Sequence, residues 1–376
     1  MNQDRKVCWD ENGETCCAHW HSESAAPPPK RVVAVDDAIK ADAAYRLACE
    51  GTALLWRGDF HNARLLLQAL ARRTERSLAK GRVAEDSPAA AFHRQRLAQS
   101  QRARTLGMLL IPFEADHGVP LRRAPDVHQA CLEAFGPMEE PYLASLRDLL
   151  GAVGAHEWRK KGVEIAALGA RIHPHYGVFS PVRGEYLDLM AKAPLPSLDL
   201  AFDIGTGTGV LAAILARRGV ARVVATDLNP RALACARENI ARLGLSEQVE
   251  VVAADLFPPG RAPLILCNPP WVPARPKSPL EQAVYDPDSA MLRGFLAGLG
   301  EHLSPEGEGW LILSDIAERL GLRSREALQG MFAEAGLEVV ARLDTRPTHR
   351  RAADRDDPLH AARAAEVTSL WRLRRR

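Results

Sequence analysis

The thirty residues from Leu198 to Asp227, LDLAFDIGTGTGVLAAILARRGVARVVATD, constrain this chain more than any other stretch. An apolar run enters Asp203, and glycines follow at 205, 207 and 209. An Ala/Leu-rich segment and a second apolar run ending at Asp227 complete the stretch. The pattern predicts a strand, a tight turn, a helix and a parallel strand, the first βαβ unit of an open nucleotide-type sheet. Glycine suits such a turn because, without a Cβ, it takes φ > 0 freely and lets a ligand approach the backbone. Asp227 stands twenty-two residues after Gly205, the spacing at which a carboxylate accepts both hydroxyls of a ribose.

The ribose-bearing molecule is narrowed by the turn itself. A dinucleotide site would carry G-x-G-x-x-G, and here the third glycine arrives one place early. Asp203 would also lie badly against a pyrophosphate, because like charges repel strongly in a shielded site. A cofactor with a cationic end and no phosphate fits better, and S-adenosylmethionine, with its sulfonium and ammonium groups, is one. With an acidic residue ahead of G-x-G-x-G, the stretch resembles the first motif of the class I S-adenosylmethionine-dependent methyltransferases. The resemblance implies that Asp203 and the turn Gly205, Thr206, Gly207 and Gly209 line the methionine end of the cofactor. Asp227 would bind the ribose, Asp255 the adenine amino group, and Leu228 and Leu256 would pack on the ring. Plainer roles stand beside these: Gly209 as a helix-packing residue and Asp255 as a turn cap.

Apolar runs at 249–255, 263–267, 309–315, 337–344 and 367–373 predict five more strands, with helices at 230–243, 285–303 and 324–335 between them. The expected fold is α/β, a seven-stranded Rossmann-like sheet over 166–376. The resemblance implies that its last strand runs antiparallel.

The fourth strand ends in Asn268-Pro269-Pro270-Trp271. An N-P-P-W alone says little, but at this strand end, after D-x-G-x-G-x-G, it points to methylation of a planar NH2 group whose lone pair is delocalised. Two acceptors on its hydrogens, the Asn268 side-chain oxygen and the Pro269 carbonyl, favour a pyramidal nitrogen aimed at the methyl donor. Proline has no N–H and stiffens the turn around that carbonyl. Trp271 offers a face on which an amide or base stacks. Catalysis would be positioning and electrostatics, with Asn268 also bordering the cofactor. The tetrad N-P-P-[FYW] resembles those of N6-adenine, N2-guanine and glutamine-amide methyltransferases. Ahead of the sheet, RIHPHYGVFSPVRGEYLD offers Phe179, Arg183 and Glu185 as lid residues. Arg183-Gly184-Glu185 only partly matches the glutamine enzymes' P-R-P-E.

Residues 31–165 carry Leu, Ala and Ile at helical spacing over 35–57, 60–79, 92–109 and 141–153, so an all-helical domain is expected there. Arg57 to Arg104 holds eleven Lys or Arg against four acids, a face that suits a phosphate backbone or plain solvent. Residues 1–30 are polar and end in three prolines, which reads as a disordered tail. Cys8, Cys16, Cys17, His19 and His21 lie in it. Zinc accepts such ligands, but no C-x-x-C is present and neighbouring cysteines chelate one ion awkwardly, so no metal is assigned. Seven scattered cysteines do not form a secreted disulfide framework, residues 1–30 hold no apolar core segment of a signal peptide, and no apolar run approaches the ~20 residues of a membrane span. A cytoplasmic enzyme without membrane contact is expected. A net charge of +2 supplies no global field for nucleic acid. The basic stretch and Arg372, Arg374, Arg375 and Arg376 favour a nucleobase in RNA or DNA, while the charged loop 346–366, with His349, Arg350 and Arg351, reads as a substrate-facing flap or an exposed hairpin excursion. A protein glutamine amide, a small metabolite, a cofactor-keeping scaffold and a dehydrogenase are the competing readings.

Overall fold

The computed structural model describes residues 6–80, 87–181, 184–278, 280–347, 354–355 and 357–376; Arg183, His349, Arg350 and Arg351 lie outside them. The chain forms two compact units, Met1–Glu85 with His93–Glu157, and Asp86–Phe92 with Trp158–Arg376.

The first unit is not all-helical. It holds strands β1 (Lys6–Glu11), β2 (Glu14–Trp20), β3 (Arg31–Val35), β4 (Thr52–Trp56), β5 (Leu109–Phe113) and β6 (Tyr142–Ser145). These form one mixed sheet in the order β1-β2-β6-β5-β4-β3. Helices α1 (Ala41–Cys49), α2 (Phe60–Lys80), α3 (Pro88–Leu106) and α4 (His128–Phe135) lie between these strands and α5 (Leu146–Lys161) follows β6, the first residues of α3 and the last of α5 belonging to the second unit. The error has a physical source. TALLW, LLIPF and YLAS are buried at every residue, so they show no alternation. A short continuous apolar run beside Ala/Leu-rich helices cannot be told from a helical segment by period alone.

The first thirty residues are also not a disordered tail over 6–20. β1 and β2 pair antiparallel around Asn12-Gly13, both at positive φ, as a two-residue hairpin turn requires. Val7, Trp9 and Trp20 are buried on one face. Cys8 and Cys17 face each other across the strands and are joined as a disulfide, against the expectation of unpaired thiols. Cys16 points to the opposite face from Cys17, because successive strand residues alternate. The soft-ligand set is thus divided, and among the described residues no three His, Cys, Asp or Glu converge on a metal position.

The second unit begins with the hairpin β7 (Val163–Ile165) and β8 (Ala170–Ile172) and helix α6 (Glu185–Lys192). Then follow β9 (Leu200–Ile204), α7 (Val210–Arg217), β10 (Arg222–Asp227), α8 (Pro230–Arg242), β11 (Val249–Ala253) and β12 (Ala262–Cys267). The remainder is α9 (Ala290–His302), β13 (Leu303–Ser314), α10 (Ile316–Arg319), α11 (Arg325–Glu334), β14 (Leu337–Thr345), α12 (His360–Ala364) and β15 (Thr368–Arg375). The sheet order is β11-β10-β9-β12-β13-β15-β14. β9 to β13 run parallel, and β15 is antiparallel to both β13 and β14, the seven-stranded arrangement expected above. Core residues cover both faces: Met190, Leu211, Leu215 and Trp310 on one, Phe202, Phe295, Leu299 and Phe332 on the other.

The arginine-rich end of the chain is partly structural. Glu308, 1% exposed, accepts from Arg372 Nε and Nη2 at 2.6 and 2.8 Å, Arg374 Nη2 at 3.0 Å and Trp310 Nε1 at 3.0 Å. Burial alone would raise its pKa, but Arg372 and Trp310 outweigh that and hold it below the usual carboxylate range. Two cations depend on one buried carboxylate, so Glu308→Ala is expected to cost about 3–5 kcal/mol, read as a lower urea midpoint with the slope unchanged. In the first unit Arg57, Arg73 and Arg102 are likewise paired, with Glu11, Asp42 and Glu75, so the stretch is less free for phosphates than its count of charges implies.

Candidate functional site

The strand order defines the crevice. From β9 the chain winds outward to β10 and β11, then returns to place β12 on the other side of β9. This is a topological switch point, where open α/β sheets bind ligands beyond their carboxyl ends. Cys267 pairs with Ile204, Thr226 with Ile204, and Asp227 with Ala253. Gly205 and Asn268 therefore leave adjacent strands side by side, about 4.8 Å apart in the pairing direction, with Asp227 and Asp255 following along the same edge.

Asp203 lies just inside that edge and is fully buried. Its Oδ2 accepts from Thr206 Oγ1 at 2.7 Å and the Ala212 amide at 3.1 Å. Its Oδ1 is buried without a hydrogen-bond partner. Burial pushes its pKa up to about 6; the Thr206 and Ala212 bonds oppose the rise, and the nearby Asp227 charge adds to it. Gly205, Gly207 and Gly209 all take positive φ, at 72°, 56° and 79°, which explains the three glycines directly. A Cβ at 205 would meet Met291 Cε at 2.5 Å, one at 209 would press on Ala236 of α8 at 3.3 Å, and one at 207 would meet nothing within 4 Å. Gly209 thus serves helix packing, whereas Gly207 borders open space. Gly207 N–H donates to Asp227 Oδ2 at 3.0 Å, and Asn229 N–H to Asp227 Oδ1 at 2.9 Å. Each oxygen keeps a further lone pair.

Leu228 is 65% exposed and Asp255 is exposed. Leu256 takes φ 66°, its carbonyl accepts from Thr226 Oγ1 at 2.6 Å, and its Cδ1 lies 2.8 Å from where a Cβ on Gly294 would stand. One Leu256 methyl is therefore committed to α9.

At the end of β12, Asn268 is half-buried and Pro269 buried. Trp271 Nε1 donates to Asn268 Oδ1 at 2.9 Å, and the indole meets Tyr186 edge-on, 6.3 Å between centroids at 85°. Trp271 is half-buried and packs against the neighbouring core clusters, so its indole also braces Asn268. Trp271→Phe keeps the ring and removes the donor; kcat is expected to fall about three- to tenfold, the worth of one hydrogen bond, with cofactor Kd unchanged by calorimetry.

Of the lid residues, Phe179 is half-buried and Glu185 opens α6. The segment ahead of them is anchored through α8. His173 N–H donates to Asn239 Oδ1 at 2.7 Å, Asn239 Nδ2 donates to Thr208 O at 3.0 Å, and His175 Nε2 meets Glu238 Oε2 at 2.7 Å. Asn239, 1% exposed, therefore ties this segment to the glycine turn. Sequence reasoning missed it; its place on the buried face of α8, beside Cys235 and Ala236, is the signal that would have marked it. Glu238 is held down at about 2: burial raises it, but Arg242, His175 and Arg159 outweigh that.

Known proteins resemble this chain in sequence. The family described as methyltransferase small domain matches residues 169–336. The release factor glutamine methyltransferase of Cereibacter sphaeroides is 37% identical over 175 residues, 43% of this chain and 60% of that protein. The tRNA1(Val) (adenine(37)-N6)-methyltransferase of Bacteroides thetaiotaomicron is 30% identical over 162 residues, 41% of this chain and 68% of that one. The chain belongs to the class I S-adenosylmethionine-dependent methyltransferases of the small-domain type. Among solved structures, a methyltransferase from Pyrococcus furiosus aligns with 60% of this chain and 98% of its own at 18% identity and a TM-score of 0.41. As in any methyltransferase of this class, the crevice has to accept the cofactor's cationic methionine end. The buried, unpartnered Asp203 Oδ1 and the open side of Gly207 fit that demand. Among the described residues no helix is long and apolar enough to cross a membrane.

Proposed function

We propose that this chain transfers a methyl group from S-adenosylmethionine to a planar NH2 nitrogen, with the exocyclic amine of a nucleobase in RNA or DNA as the favoured acceptor, in the cytoplasm. When bound, the cofactor supplies an electrophilic sulfonium methyl. Asp203 and the turn at 205–209 hold its methionine end, Asp227 its ribose, and Asp255 and Leu228 its adenine. Asn268 Oδ1 and the Pro269 carbonyl accept the two N–H bonds of the acceptor and turn its lone pair toward the crevice. With the methyl supplied by the bound cofactor, the site would have only to orient the nitrogen and let its proton leave to water, so no strong base is required. The observation that carries this reading is Asn268 beside Gly205, with its amide fixed by Trp271.

The nucleobase is supported by the tRNA-adenine relative. A protein glutamine amide is the second reading, supported by the release factor relative; Gly184, where the glutamine enzymes carry proline, weighs against it. Transfer of tritium from labelled cofactor into a cell lysate tests both. Label that is removed by nuclease supports the first reading, label removed by protease supports the second, and no label from a cofactor-binding protein defeats both.

A further inference from the structure

Beyond the crevice, the segments between β13 and β15 carry three arginines with buried guanidinium nitrogens, Arg319, Arg323 and Arg363. Arg319 is paired with Asp315 at 2.8 Å and Arg363 with Asp357 at 2.9 Å. Arg323 differs. It is only 8% exposed; the Glu318 and Asp286 carboxylates are near enough to act on its charge, but among the described residues none forms an ion pair with it. Among the described residues its guanidinium makes one hydrogen bond, Nη1 to Ser289 Oγ at 3.2 Å, while Nε and Nη2 are buried without partners. Those two N–H groups lie along one edge of the guanidinium plane, the edge that grips two oxygens of one phosphate or carboxylate side by side. A charged donor pair buried and unmet costs several kcal/mol, and such a group calls for an explanation.

The residue bonded to it is itself strained. Asp288 and Ser289 both have φ 55° without being glycine, a conformation worth about 1–3 kcal/mol each unless the surroundings hold it. Ser289 N–H donates to Asp286 O at 3.0 Å, and Asp286 N–H to Val272 O at 2.9 Å, directly after Trp271. The Asp286 carboxylate in turn caps α9 through the Met291 and Leu292 amides. A short strap, 286–289, thus connects the Asn268–Trp271 turn to Arg323 through Nη1, beside the unpartnered Nε/Nη2 edge of the same guanidinium.

We infer that Arg323 is a phosphate subsite for the substrate, uncovered when the 286–289 strap shifts, and that it takes the two free oxygens of a backbone phosphodiester near the methyl-accepting base. The inference rests on the nucleobase reading and gives it a second contact on the half of the sheet away from Asp203. The diester's two free oxygens match the two N–H groups of the edge.

The test titrates the full chain with inorganic phosphate at constant ionic strength, with acetate and chloride in parallel, and reads Tm. Phosphate is expected to give a saturable rise. Arg323→Gln should abolish it, and Arg323→Lys, which keeps the charge without the fork, should need at least ten times more phosphate. Binding of S-adenosylmethionine within about twofold of wild type in both variants shows that they are folded. Competition by a single-stranded RNA dodecamer is expected; competition by adenosine monophosphate alone overturns the backbone assignment. An equal phosphate response in wild type and variants overturns the subsite, as does a wild type that ignores phosphate, which would leave an internal water as the partner. Those results leave methyl transfer untouched, because that reading fails only if the wild type binds no cofactor or labels no acceptor.

Discussion

Asn268→Ala is expected to lower kcat/KM at least about 10³-fold, with the cofactor Kd changing by no more than a few-fold. The proposed role of the Asn268 oxygen is to accept an N–H that becomes more acidic as the nitrogen attacks, so its interaction strengthens from ground state to transition state and is lost mainly from kcat. Loss of a single such contact in a shielded site is worth about 10²–10³. Here the truncation also leaves the Trp271 N–H without the acceptor it holds at 2.9 Å, which loosens the turn. Single-turnover transfer and calorimetric cofactor binding separate the two effects. A variant that loses cofactor affinity in step with its rate would show that Asn268 serves binding alone.

The second unit could be read from the sequence because its signals are local and chemically forced. Three glycines in the left-handed region, an acid before them and an acid twenty-two residues on are consequences of one turn and one strand register. The first unit could not be read the same way. Its central strands, Thr52–Trp56 and Leu109–Phe113, are buried on both faces and carry no period-two pattern. The hairpin at its start had a legible signal, Asn12-Gly13 between short strands, which a polar composition concealed. The bond from Trp271 to Asn268 was hidden for another reason. An aromatic after N-P-P predicts a stacking face equally well as Phe, Tyr or Trp, and only the fold shows the indole N–H turned back on the asparagine. Asn239 and Arg323 depend on contacts 31 and 34 residues distant in the chain, beyond the reach of any local pattern.

Asp203 should make cofactor affinity pH-dependent, and Asp203→Asn should remove that dependence. The group is fully buried and its pKa is raised to about 6. For an acid whose folded pKa lies above its unfolded value, the folded carboxylate carries a cost. The cost is absent below about pH 4, grows between there and pH 6, and is constant above, at about 3 kcal/mol for a shift of this size. The cationic end of the cofactor needs the carboxylate, so binding expels the proton wherever one is present. Affinity is therefore expected to be flat above about pH 6.5 and to weaken up to tenfold per unit as pH falls below 6. In Asp203→Asn the profile flattens, and at pH 8 the cofactor binds roughly 10- to 100-fold more weakly, the worth of a hydrogen bond to a charged group. The same variant, freed of the buried charge, should be no less stable than wild type without cofactor at pH 8, because a neutral amide still offers an oxygen to Thr206 and Ala212. Calorimetric titration between pH 5 and 8, with urea unfolding alongside, checks both. A pH-independent wild type would mean that the unpartnered Oδ1 is not the atom that meets the cofactor's positive end.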